Sequence, residues 1–189
     1  MRHIVPTIPK AYESQLGDPS KISSSRPIKI STFRGLVEVI AKFAYHNKDY
    51  LSFFRGQSKD YLNKAGSSTF YPTIYRGEYL SHRELRYKFD ILEGCAKALA
   101  QFFEDKRIDG YKDVKRRKLI QWSILRHYEV CSTPLLDFTH SLRVACSFAY
   151  SKNNSESAYV FMFGFPYLTN RISLNSEHDL VNIRGSSPI

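Results

Sequence analysis

The chain reads as an α+β fold, a single domain in which a strongly apolar sheet, mixed or antiparallel, is flanked by helices. Three observations predict it. Residues 158–165, Ala-Tyr-Val-Phe-Met-Phe-Gly-Phe, are apolar on both parities, as a central strand covered on both faces must be. Leu85, Phe89, Leu92, Ala96, Leu99 and Phe103 recur at steps of three and four, the stripe of a long amphipathic helix. Thirteen Tyr and thirteen Phe among 189 residues supply the large side chains that sheet faces need.

In order, residues 1–27 carry Pro6, Pro9, Pro19 and Pro27 with the run Ser23-Ser24-Ser25, and are expected to form an irregular arm ahead of a domain over 28–189. Ser31 and Thr32 offer caps for a helix in which Phe33, Leu36, Val37, Ile40, Ala41 and Ala44 keep helical spacing to about Asn47. Tyr50 to Phe54 reads as a short buried strand running into Arg55-Gly56-Gln57. Residues 58–77 read as a long loop with one or two short strands. Ser81 and Glu84 form a capping box at the head of the long helix. The basic run at Lys112, Lys115, Arg116, Arg117 and Lys118 precedes a helix through Leu119, Trp122, Ile124 and Leu125 that ends near His127. A turn with Ser132 and Thr133 leads to Asp137, and a short helix with Ala145, Cys146, Phe148 and Ala149 toward the core follows Thr139. Residues 179–183 are a candidate edge strand, and the ending Gly185 to Ile189 suggests a chain that continues beyond it.

Composition limits the classes. A hydrophobic share of 42% argues against wholesale disorder. The net charge of +10, from 28 basic and 18 acidic residues, favours an anionic partner: nucleic acid, a nucleotide or a membrane surface. A protein that is simply basic is the plainer alternative. Cys95, Cys131 and Cys146 are odd in number and lack C-x-x-C spacing, which points away from a disulfide framework or zinc site and toward a reducing cytoplasm. No metal site is expected. No apolar run suits a signal peptide or a membrane span.

Chemistry concentrates in few places. Arg55 ends an apolar strand, where a guanidinium needs anionic or carbonyl partners, and Gly56 beside it permits close approach of a ligand. The structural alternative is an ion pair between Arg55 and Asp137. Cys131 and His127 have the spacing for a nucleophile pair but no third group to orient the imidazole. The run Lys112 to Lys118 fits either phosphates or a solvated helix face.

Phe54-Arg55-Gly56-Gln57, Tyr71-Pro72 with Tyr75-Arg76-Gly77, His127-Tyr128, Thr133-Pro134-Leu135-Leu136-Asp137-Phe138-Thr139 and Val144-Ala145-Cys146-Ser147-Phe148-Ala149 together resemble an FRG domain over about residues 30–165. That family is named for its Phe-Arg-Gly motif. It also carries a His-Tyr-Gly turn, a Thr-x-Leu-Leu-Asp-Trp-Thr segment and an Ala-x-x-Phe-Ala helix. This chain departs from it with Glu129 for the glycine, a turn one residue longer before Thr133, and Phe138 for Trp.

A weaker similarity is to ADP-ribosyltransferase folds, which implies a split sheet and NAD as cofactor. Carried onto this chain, it implies NAD held by Arg55, Gly56, Gln57, Thr133 and Thr139, with Arg55, His127 and Asp137 as the catalytic group. It also implies a toxin or defence effector of bacteria or phage. Only Glu177 and Asp179 follow the apolar strand as acidic candidates for directing transfer. Two other readings stand beside it: a non-catalytic nucleic-acid or nucleotide-binding module using Lys112, Lys115, Arg116, Arg117 and Lys118, and an interaction domain in which Arg55, His127 and Asp137 are structural.

Overall fold

The computed structural model describes residues 6–77, 80–151, 153–166, 171–173 and 180–182. Helices and antiparallel strands are mixed, as the α+β expectation requires. The chain divides into two compact units, Met1–Thr69 with Asp137–Ile172, and Phe70–Leu136 with Ser173–Ile189.

The first unit is built on strand β1, Tyr50–Gln57, which pairs antiparallel with β2, Tyr159–Pro166, in a register that sets Phe54 opposite Met162 and Arg55 opposite Phe161. The expected strand at 50–54 thus continues through the Arg-Gly-Gln segment. Its Phe53 and Phe54 are buried. Expected as a central strand, β2 has only β1 beside it among the described residues. Alternate aromatics of β2 share a face, as the two-residue period demands. Phe138 covers that face, with its ring edge-on to Phe163 at 4.9 Å and Phe165 at 5.9 Å.

Two short helical segments form within the stretch expected as an arm. Lys10–Leu16 forms helix α1, and a 3-10 segment spans Pro19–Ser24, where Asp18 caps the Ser20 amide. Pro9 and Pro19 sit at element starts, where a missing amide costs nothing. Ile8 and Leu16 are buried, and Asn47 clamps the lead-in by accepting from the Thr7 amide and donating to its carbonyl, both at 2.8 Å. Helix α2, Phe33–His46, is capped by the Thr32 hydroxyl on the Gly35 amide.

In the second unit, helix α3, His82–Asp105, begins with the predicted capping box. The Ser81 backbone amide, and then its hydroxyl, hold the Glu84 carboxyl below the usual carboxylate range. Helices α4, Tyr111–Arg116, and α5, Lys118–His127, break at Arg117. Leu92 and Ala96 of α3, Leu125 of α5 and Ile74 form the core, with Phe89, Leu99 and Trp122 packed against it. The predicted stripe is therefore the buried face of α3. Strands β3, Arg171–Ser173, and β4, Leu180–Asn182, pair with each other, the latter inside the stretch expected as an edge strand.

Helix α6, Leu142–Tyr150, belongs to the first unit and starts three residues after Thr139, capped by the Ser141 hydroxyl on the Val144 amide. Ala145 and Ala149 are fully buried, but Phe148 is 65% exposed. That overturns the expectation that Phe148 faces the core. Successive helical positions are rotated by about 100°, so a face defined by Ala145 and Ala149 turns Phe148 away.

Candidate functional site

Arg55 sits half-buried near the end of β1. Its Nε donates to Gln57 Oε1 at 3.1 Å, and its Nη1 donates to the Asp137 carbonyl oxygen at 2.8 Å, joining segments 82 residues apart. The Gln57 side chain, itself buried, donates in turn to the Lys59 carbonyl at 3.4 Å. One strand thus carries both the guanidinium and the amide that orients it, two residues apart on the same face.

Gly56 has a different task from the one its neighbourhood suggested. A Cβ built there would lie 1.8 Å from the Ala145 carbonyl oxygen and 2.7 Å from the Ala149 amide nitrogen. Its open side admits the backbone of α6, the close approach for which strand glycines are kept. Ala145 and Ala149, one turn apart on that helix, are the small residues that complete the contact.

The segment after Asp137 is sewn to β1. The Phe54 amide donates to the Thr139 carbonyl at 2.7 Å and the Thr139 amide to the Phe54 carbonyl at 3.0 Å. The His140 ring lies 3.9 Å from that of Phe53, with Nδ1 3.1 Å from the Ser52 carbonyl oxygen. His140 was not anticipated as a positioning residue; its only signal was an imidazole directly behind Thr139. Arg55, Gly56, Gln57, Asp137 and Thr139 are therefore gathered in the first unit, with the Asp137 side chain exposed.

His127 and Thr133 belong to the second unit. His127 is exposed, its ring edge-on to Tyr128 at 5.1 Å. The following Glu129 adopts φ +51°. Its amide donates to the Arg126 carbonyl and that of Val130 to the Leu125 carbonyl, at 3.2 and 3.0 Å. This pair of bonds is a Schellman ending to α5, whose left-handed position glycine occupies at least cost. Glutamate keeps the turn at a steric cost, so Glu129→Gly is expected to raise stability by ~0.5–1 kcal/mol in a denaturant titration. An unchanged midpoint would show that Glu129 carries no strain there.

Thr133 is fully buried, and its Oγ1 has no hydrogen-bond partner. Its backbone is held by Thr73, whose hydroxyl accepts from the Thr133 amide at 3.0 Å and donates to the Thr133 carbonyl at 3.3 Å. Thr73 went unnoticed in the sequence, because nothing in Tyr71-Pro72-Thr73 marks a hydroxyl that serves a segment sixty residues away.

Burial, and then the neighbouring Cys95 thiol, push the Cys131 thiol up to about 11. A nucleophile needs the opposite shift, so the Cys131–His127 pairing finds no support. Folding favours the protonated thiol, so this contribution to stability is intact at neutral pH and is lost as pH climbs from the ordinary thiol range toward 11. At pH 8, iodoacetamide should label Cys131 far more slowly in the folded chain than in the urea-unfolded one, with the folded rate still rising above pH 9. A plateau near pH 9 would mark an ordinary thiol.

The basic run is partly neutralised. Lys115 meets Glu104 at 2.7 Å, Lys118 meets Glu93 at 2.6 Å and Arg117 meets Asp113 at 3.6 Å, while Lys112 lies over the Tyr111 ring at 5.9 Å. Among the described residues no helix is long and apolar enough to cross a membrane, and no three His, Cys, Asp or Glu side chains gather as metal ligands would.

No curated protein and no solved structure matches the chain. The family model of the FRG domain matches residues 50–158, from the first residue of β1 almost to the start of β2. That span holds the Phe-Arg-Gly strand, the Schellman turn, the buried Thr133, the Asp137–Thr139 segment and the alanine face of α6, and the chain belongs to the FRG domain family.

Proposed function

We propose that the chain is an NAD-using ADP-ribosyltransferase-like module, with Arg55 and the Asp137–Thr139 segment forming the wall that holds the ligand. The observation that supports this most is the meeting of the two motif segments, through Arg55 Nη1 on the Asp137 carbonyl and the reciprocal Phe54–Thr139 bonds. Arg55, Asp137 and Thr139 thus belong to segments that meet at β1, and this reading takes their guanidinium, carboxylate and hydroxyl as the ligand-holding groups. NAD is anionic, and a planar guanidinium fork is suited to its pyrophosphate. Cleavage of the nicotinamide–ribose bond leaves positive charge on the ribose. A carboxylate such as that of Asp137 stabilises this charge while neutral nicotinamide departs and an acceptor oxygen or nitrogen bonds to the same carbon, releasing its proton to solvent. Gln57 orients the guanidinium and Thr139 offers its hydroxyl to a ribose. Gly56 serves by letting α6 lie against the strand. A toxin or defence effector is the setting that suits such chemistry.

The alternative, a nucleic-acid or nucleotide-binding module using the basic run, has less support for a long polymer because Lys115, Arg117 and Lys118 already face carboxylates.

Asp137→Asn, an isosteric change at an exposed position, tests the chemistry, with the melting curve recorded beside it. Nicotinamide release from NAD is expected to fall by tenfold or more, about 1.4 kcal/mol or more in the barrier, with the melting temperature unchanged. Failure of the unaltered chain to consume NAD, or full turnover by the Asn variant, would overturn the proposal.

A further inference from the structure

A groove on the second unit is unclaimed by any of this. It is a cavity of about 390 Å³ between α3 and the α4–α5 pair. Its long wall is one face of α3 from Glu93 to Glu104, twelve residues or about 16 Å of helix. Ion pairs cross it at both ends, Lys118 to Glu93 and Lys115 to Glu104. Between them Ala96 and Ala100, one turn apart, leave the wall low, and Trp122 faces them. The indole is half-buried and packs against the core cluster, so its position is fixed.

Charge in the groove is unbalanced. Four cations, Lys97, Lys115, Arg116 and Lys118, line it against two carboxylates, Glu93 and Glu104. Lys115 and Lys118 are spent on those carboxylates, whereas Arg116 has no ion-pair partner among the described residues and Lys97 acts on Glu93 only at longer range than an ion pair. A fixed indole beside small side chains accepts a flat ring, and unpaired cations next to it accept an anionic substituent on that ring.

We propose that this groove binds a planar heteroaromatic ring carrying a phosphate, a nucleoside monophosphate in chemical class, with the ring on Trp122 and the phosphate on Arg116 and Lys97. The site lies wholly in the second unit and uses none of the residues assigned to NAD chemistry, so either proposal can fail alone. It differs from polymer binding because the paired lysines close the groove at both ends.

Trp122 is the only tryptophan of the chain, so its fluorescence reports this groove alone. Titration of the whole protein with AMP is expected to give a saturable change with a dissociation constant below about 1 mM. Adenosine and inorganic phosphate, as half-ligands, should each bind at least about tenfold more weakly. Arg116→Glu, at an exposed position, should weaken AMP by about tenfold or more with an unchanged melting curve. Ala100→Leu, which raises the wall, should also weaken it. No saturable change with AMP, equal binding of adenosine or phosphate alone, or undiminished binding by the Arg116→Glu variant would each overturn the proposal.

Discussion

Gly56→Ala is expected to destabilise the first unit by at least ~3 kcal/mol, the upper range for forcing atoms into a filled interior. A single methyl is added, yet its carbon would lie 1.8 Å from the Ala145 carbonyl oxygen. That oxygen and the Ala149 amide nitrogen, 2.7 Å from the same point, are the two ends of one helical hydrogen-bonding turn, so neither can rotate aside as a side chain would. Either α6 moves off β1 or the strand bends. Both withdraw Ala145, Ala149, Phe53 and Phe54 from the packing that buries them.

The clash involves backbone alone, so Ala145→Gly or Ala149→Gly in the same chain should not rescue the variant. Gly94→Ala provides the contrast. Gly94 lies within α3, and a Cβ there meets nothing within 4 Å, so the change should add ~0.5–1 kcal/mol of stability. Denaturant titrations of the three variants decide the matter, and a Gly56→Ala chain as stable as the parent would dispose of the packing account.

Sequence and structure part company at such contacts. The long helix was legible because its stripe and capping box are local patterns, and the same holds for β1 through Phe54. The motif Phe54-Arg55-Gly56 was visible as a strand end, but the reason for its glycine was not. The cause is the backbone of a helix ninety residues later, which no local period encodes. The turn at Glu129 was marked only by the resemblance, which sets glutamate at the glycine of a His-Tyr-Gly turn; glutamate itself does not announce a left-handed position. Phe148 misled because an aromatic in a short apolar helix reads as core until the face defined by Ala145 and Ala149 is known. Of the candidate site, the partnership of Arg55 with the Asp137 segment was foreseeable from chemistry, since an arginine after apolar strand residues needs an acceptor. That the acceptor is the Asp137 backbone carbonyl follows from the Phe54–Thr139 pairing, and a side-chain inventory contains nothing of that kind.

The two threonines that meet in the second unit should respond to the same substitution with opposite signs. Thr133 places a hydroxyl where no partner reaches it, and a buried orphan of this kind costs about 1–3 kcal/mol. Valine has the same shape without the polar group, so Thr133→Val should gain part of that amount. Thr73→Val does the reverse. It deletes the hydroxyl that accepts from the Thr133 amide and donates to its carbonyl. The carbonyl keeps the Ile74 amide at 3.3 Å, but the Thr133 amide loses the acceptor that served it. The loss should again be about 1–3 kcal/mol, giving a spread of roughly 2–5 kcal/mol between the two variants.

Urea denaturation midpoints of the two variants measure both shifts. A Thr133→Val chain less stable than the parent would show that the hydroxyl is paired in solution, and the orphan account would fall with it.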